Sequence, residues 1–128
     1  IFTGVHHRAM PALYERAYFS LAPLTRGARN ELQGCCPLKI IESMACGTPV
    51  VASDLPAVRE LIRSGDDGIL VPPDSPRALA GAMESLLDDK ARRDRLAGKA
   101  QERAQQDFKP KLLAERLGTV YNFLSGGQ

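Results

Sequence analysis

Gly34-Cys35-Cys36-Pro37-Leu38-Lys39-Ile40-Ile41-Glu42-Ser43-Met44-Ala45-Cys46-Gly47-Thr48-Pro49-Val50-Val51-Ala52-Ser53 is the stretch on which the fold turns. It reads as a tight turn, an amphipathic helix over Pro37–Cys46, a glycine stop at Gly47 and a Thr48-Pro49 turn into a short buried strand. Proline in the first turn costs nothing, because that amide has no partner within a helix. Leu38, Ile41 and Ala45 make one face of the expected helix, apolar. Lys39, Glu42 and Cys46 share another.

Working outward, four short apolar runs alternate with helical patterns. The runs are Ile1–Thr3, Phe19–Leu24, Pro49–Ala52 and Gly68–Val71, and the helices fall near Met10–Ala17, Pro37–Cys46 and Ala57–Arg63. Strands apolar on both faces, separated by helices, predict an α/β fold with a four-stranded parallel, Rossmann-like sheet covered by helices. After Val71 the pattern becomes wholly helical. Asp74 or Ser75 caps a helix that starts at Pro76 and carries Leu79, Ala82, Met83, Leu86 and Leu87 on one stripe. A second helix is expected over Lys90–Asp107 with Leu96, Ala97, Ala100 and Ala104 inward. A third follows Pro110 with Leu113, Leu117, Val120 and Leu124, and the Ser125–Gln128 end is expected to fray.

Composition narrows the function classes. The chain has 128 residues, enough for one domain with a core, and a formal charge of +2, too small to argue for nucleic acid. The basic residues Lys90, Arg92, Arg93, Arg95, Lys99 and Arg103 are interrupted by acids and read as a solvated helix face. Three cysteines, two of them adjacent, make a poor disulfide framework and point to a reducing, cytoplasmic setting, free or at the inner face of a membrane. No apolar run is long enough to span a bilayer. The chain opens inside a strand-like segment, so it is expected to be a piece of a longer protein.

In an open parallel sheet, ligands bind at the carboxyl ends of strands against helix N-termini. Free amides around Cys36, Leu38 and Lys39 would then face a phosphate, and Glu42 could accept two hydrogen bonds from a vicinal diol. A nucleotide-sugar offers both groups. The competing reading pairs Glu42 with Lys39 on a wet helix surface, worth about 0.2–0.5 kcal/mol. The residues alone leave the two level. His6 and His7 follow a glycine at a strand end, where they either touch a base or stay in solvent. Arg26 and Arg29, in the loop Thr25–Gln33, either reach a diphosphate or an acidic sugar or are merely solvated. The Cys35-Cys36 and His6-His7 pairs are adjacent rather than spaced, so no metal is expected. Cys46 and Glu60 read as structural.

Glu42-Ser43-Met44-Ala45-Cys46-Gly47-Thr48-Pro49-Val50-Val51-Ala52-Ser53 resembles the signature of retaining glycosyltransferases of family 4 (group 1). The similarity continues through Leu55–Glu60 and Gly65–Pro72, and upstream through Phe2–Val5 and the Leu13–Ala17 helix. It implies the later part of the C-terminal, donor-binding domain of a two-domain GT-B enzyme, spanning residues 1–128, with the acceptor domain and the first strands elsewhere. It further implies that Glu42 binds the ribose and that the helix start from Cys36 through Pro37 and Leu38 to Lys39 holds the diphosphate and sugar. Gly4, Val5 and His6 would form the loop against the nucleobase. The first glutamate of the family's Glu-x7-Glu motif falls on Gly34, which removes a contact to the transferred sugar. The implied reaction needs no protein nucleophile and no cofactor, the nucleotide-sugar being a substrate and the acceptor a sugar or lipid. Its catalytic basic residues would lie outside this chain. A non-catalytic nucleotide-binding scaffold and a GT-B sugar-nucleotide epimerase are the rival readings. The missing strands would leave an edge through which the piece could self-associate.

Overall fold

Residues 4–31, 36–109 and 111 are described by a computed structural model. The strand expected at Ile1–Thr3, the residues Gly34 and Cys35, and the helix expected after Pro110 lie outside them. In chain order, a turn of 3-10 helix at His7–Ala9 leads into α1 (Met10–Arg16), β1 (Ser20–Ala22), α2 (Ala28–Glu31) and α3 (Leu38–Ala45). Then come β2 (Val50–Ser53), α4 (Pro56–Arg59), β3 (Ile69–Val71), α5 (Pro76–Asp88) and α6 (Lys90–Asp107).

Three strands, not four, pair among the described residues, all parallel and in the order β1-β2-β3. Ser20 lies opposite Val50, Val51 opposite Ile69 and Ser53 opposite Val71. β1 is shorter than the apolar run Phe19–Leu24 because Pro23 has no amide to give to a ladder. The helix expected over Ala57–Arg63 ends at Arg59. Beyond it the Asp67 carboxylate takes the Arg63 amide at 2.6 Å, and Gly65 turns the chain at φ 87° to meet Gly68. This local turn outcompetes further helix.

Side chains alternate across the sheet, as strand geometry requires. Val50, Ala52 and Leu70 face α3 and the C-terminal half of α6, where Ile40, Met44, Val58, Ile62, Ala100 and Ala104 complete one cluster. Val51, Ile69 and Val71 face the other way, against Leu86 of α5 and Leu96 of α6. α6 therefore contributes to both layers.

Two helix faces differ from expectation. In α3 the buried residues are Ile40, Ser43 and Met44, while Leu38 is 64% exposed and Ala45 also faces outward. The stripe at i, i+3, i+4 runs through Ser43 because its hydroxyl is satisfied: it donates to the Thr48 carbonyl at 3.0 Å and sits 2.7 Å from Ser20 Oγ. In α5, Ser75 caps and Pro76 opens the helix as expected, and Leu86 is buried, but Leu87 is exposed.

The basic run of α6 is only partly a solvated face. Lys90 pairs with Asp94 and Lys99 with Glu102 in solvent. Arg93, by contrast, donates to the carbonyls of Leu86 and Leu87 at the end of α5 and lies 4.7 Å from the Tyr18 ring centroid. The Arg103 side chain, 12% exposed, meets Asp67, 2% exposed, at 2.8 Å and also donates to the Glu60 carbonyl. Charge alternation along the sequence could not separate these two arginines from their solvated neighbours.

Candidate functional site

Two clefts flank the start of α3. The first lies at the carboxyl end of β1, where Pro23 ends the strand and the chain loops through α2. Pro23, Leu24, Thr25, Arg29, Asn30 and the Cys36–Lys39 segment surround a volume of about 600 Å³. Asn30 Nδ2 donates to the Thr25 carbonyl at 2.7 Å, which holds the loop in shape. Arg29 and Lys39 are its ionisable residues besides Cys36, so its electrostatic character is cationic. Pro37 occupies the cap position, one residue earlier than expected, and no side chain caps the helix. The amides of Leu38 and Lys39 begin α3 with no carbonyl a turn behind them inside the helix, which leaves the partial positive charge of the N-terminus facing this cleft. Arg26 is exposed and is not among the residues lining it.

Glu42 stands one turn further on, about 4.5 Å along the axis. It does not pair with Lys39, as one reading of the sequence had it; its carboxylate instead lies 3.5 Å from Nε2 of His7. The second cleft opens here, about 210 Å³, between His7, Met10, Pro11, Tyr14, Glu42, Ala45 and Cys46. The Glu42 side chain is 38% exposed and His7 is 85% exposed, so both can be reached by a ligand. His6 serves the backbone: its Nδ1 accepts from the Arg8 amide at 3.3 Å. Of the Gly4–His7 loop, it is His7 that lines the cleft.

A relay of hydrogen bonds sets α3 against α1. Thr48 Oγ1 donates to the Tyr14 carbonyl at 2.7 Å, and the Tyr14 hydroxyl reaches the Lys39 carbonyl at 3.4 Å. Ser43 already spends its proton on Thr48, so Ser20 is the donor between the two serines. Tyr14 thus spans the first turn of α3 with its ring in the Glu42 cleft. Burial, with the nearby Glu42 carboxylate, pushes its phenol above the ordinary value. Burial likewise raises the Cys46 thiol, aided by Glu15 and Glu42, which keeps it protonated and inert. Nothing local in the sequence marks Tyr14 and His7 as neighbours of Glu42, because packing between separate elements brings them together. Gly34 lies outside the described residues.

The family model "Glycosyl transferases group 1" matches residues 1–89. The chain is 37% identical over 87 residues to the phosphatidyl-myo-inositol mannosyltransferase of Mycolicibacterium smegmatis, covering 68% of this chain and 22% of that protein. It is 39% identical over 108 residues to the D-inositol 3-phosphate glycosyltransferase of Thermobispora bispora, covering 84% of this chain and 23% of the relative. The chain thus spans less than a quarter of the length of these relatives. Among solved structures it superposes on sucrose-phosphate synthase from Thermosynechococcus elongatus with a TM-score of 0.84 at 30% identity, over 100% of this chain and 31% of that one. Anabaena HepE, solved with UDP and glucose, gives a TM-score of 0.70 at 25% identity, over 86% and 29% of the two chains. These neighbours share the GT-B architecture.

Proposed function

The chain belongs to the glycosyl transferases group 1 family, and from that premise we propose that it is the later part of the nucleotide-sugar-binding domain of a retaining glycosyltransferase. The observation that carries this is the pairing on α3 of a cationic cleft at the helix N-terminus with a half-exposed carboxylate one turn along. In charge and hydrogen-bonding character a diphosphate suits the first and a ribose diol the second. HepE, a structural neighbour, has been solved with UDP-glucose, which supports this ligand class.

In this reading the amides of Leu38 and Lys39, with Cys36, Pro37 and Arg29 around them, receive the diphosphate. Glu42 accepts from the ribose hydroxyls, and the Gly4–His7 loop lies against the base. Arg26 is exposed and outside the cleft lining, so it takes no part in this reading. The acceptor hydroxyl oxygen bonds to the anomeric carbon while the bond to the diphosphate breaks on the same face. The leaving diphosphate keeps that electron pair and takes the acceptor's proton. The helix amides and basic side chains stabilise the charge that builds on it. Gly34, standing where the family has a glutamate, gives the transferred sugar no carboxylate. The cognate nucleoside diphosphate and its sugar conjugate should therefore bind with similar affinity.

A thermal-shift screen of UDP-, GDP-, ADP- and CDP-sugars on the full-length protein identifies the donor. Calorimetry with that donor then tests the site. Glu42→Gln should weaken binding by about 1–3 kcal/mol, the scale of a hydrogen bond to a charged group, and leave thermal stability unchanged. Equal affinities for variant and wild type would sink the ribose assignment. The 128 residues alone should transfer no sugar, and any activity they showed would overturn the placement of the catalytic basic residues outside this chain.

A further inference from the structure

The contact between His7 and Glu42 joins two residues of unequal freedom. His7 belongs to a three-residue turn of 3-10 helix that buries none of its residues, and its side chain stands largely in solvent. Glu42 sits in the second turn of α3, which Ile40, Ser43 and Met44 anchor in the core. The helix fixes where the carboxylate stands, and the imidazole is the partner able to turn away. Nε2 of His7 lies 3.5 Å from Oε1 of Glu42, and both residues line one cleft with Met10, Pro11 and Tyr14. A vicinal diol uses both oxygens of a carboxylate, one for each hydroxyl. While an imidazolium holds Oε1, one of those two places is taken.

Imidazole is the side chain whose charge ordinarily changes between pH 5 and pH 8. The other ionisable groups around this cleft keep their charge in that range. Tyr14 of α1 and Cys46 of α3 are pushed up, by burial first and then by nearby carboxylates, so phenol and thiol stay neutral. Glu15 of α1 is the further carboxylate near Cys46. Lys39 of α3 belongs to the diphosphate cleft, and Arg8 beside His7 is exposed. Carboxyl groups ordinarily titrate near about 4, and lysine and arginine above about 10. Among the described residues, a response between pH 6 and pH 8 therefore falls to the two imidazoles. His7 faces Glu42, whereas His6 is turned to the Arg8 amide.

We propose that His7 is a proton-operated latch on the ribose site. Protonated, it closes on Glu42 and competes with the ribose diol; neutral, it leaves the carboxylate to the nucleotide. The inference rests on the donor reading above. Nucleotide binding separates the imidazolium from its carboxylate, the ring then holds its proton less tightly, and part of a proton passes to solvent. Affinity accordingly rises as pH rises through the imidazole range and falls as pH drops. The diphosphate would draw a proton back to His7, but it is seated beside Arg29 and Lys39, which offset its charge. Because the pair is exposed, the change is about two- to fivefold.

Titration calorimetry on the full-length protein tests this with UDP-glucose, GDP-mannose, ADP-glucose and CDP-glucose. Neither their bases nor their diesterified diphosphates titrate between pH 6 and pH 8, and all four share the ribose, so any that binds serves. Wild type should bind it about two- to fivefold tighter at pH 8 than at pH 6. Near the middle of that range it should release a fraction of a proton, read from the binding heat in buffers of different ionisation enthalpy. His7→Gln should abolish both effects, and His6→Gln should retain both. A ratio of one or below, an undiminished ratio in His7→Gln, or a ratio lost in His6→Gln would overturn the latch. Binding by none of the four would overturn the donor reading and the latch together. The donor reading fails separately, through equal affinities of Glu42→Gln and wild type at pH 8, where the latch is open.

Discussion

Tyr14 ties α1 to α3 through its carbonyl and its hydroxyl, and its titration reports on that tie. Its phenol is raised by burial and by Glu42. A raised folded-state value means that the unfolded chain loses this proton first. The contribution to stability is complete below the ordinary phenol value of about 10 and is lost as pH rises through the folded value. In a spectrophotometric titration, Tyr14→Phe should delete the component that ionises above that ordinary value. Deletion of a component at the ordinary value would show that the ring does not lie beside Glu42. Arg103 is the other residue whose environment decides its cost. Its pair with Asp67 is nearly excluded from water, and Arg103→Ala would leave that carboxylate buried and uncompensated. A loss of about 3–5 kcal/mol in denaturant unfolding is expected, whereas Lys99→Ala, which removes an exposed pair, should cost under about 1 kcal/mol.

At the scale of elements, glycines mark where backbone and side chain compete for space. A Cβ on Gly68, at the entry to β3, would stand 2.8 Å from Ile62 Cγ2 and 3.0 Å from the Val50 carbonyl oxygen. Gly68→Ala should destabilise the protein by about 1–3 kcal/mol by forcing the α4–β3 turn off the sheet. Gly81 and Gly98 sit inside α5 and α6 with nothing within 4 Å, and alanine at either should stabilise by about 0.5–1 kcal/mol. Thermal unfolding of the three variants checks both signs. The same contrast explains what could be read from sequence. Gly47-Thr48-Pro49 and Pro72–Pro76 impose their turns through the chemistry of adjacent residues, so α3, β2 and the start of α5 were legible. The buried face of α3 was not, because Ser43 is admitted to it by Ser20, a residue of another element. Leu38 reads as core by composition but stands at the lip of the cationic cleft. Glu42 was legible as a site residue from its helix position, while His7 and Tyr14 reach it only through packing between α1 and α3.

For the whole molecule, β1 is paired on one side only among the described residues, and Leu21 on it is exposed. An open strand edge templates pairing with another chain. The 128-residue chain is therefore expected either to close this edge by pairing Ile1–Thr3 with β1 or to associate through it as its concentration rises, and a monomer by light scattering whose β1 amides exchange freely would count against both. α6 sets a limit on how the chain can come apart. Its Leu96 belongs to the core on one side of the sheet, and its Ala100 and Ala104 to the core on the other. Release of this single helix strips both layers at once, so neither can melt while the other stays whole. Amide protons of β2, buried between the two layers, should then exchange with solvent at the same opening free energy as those in the middle of α6.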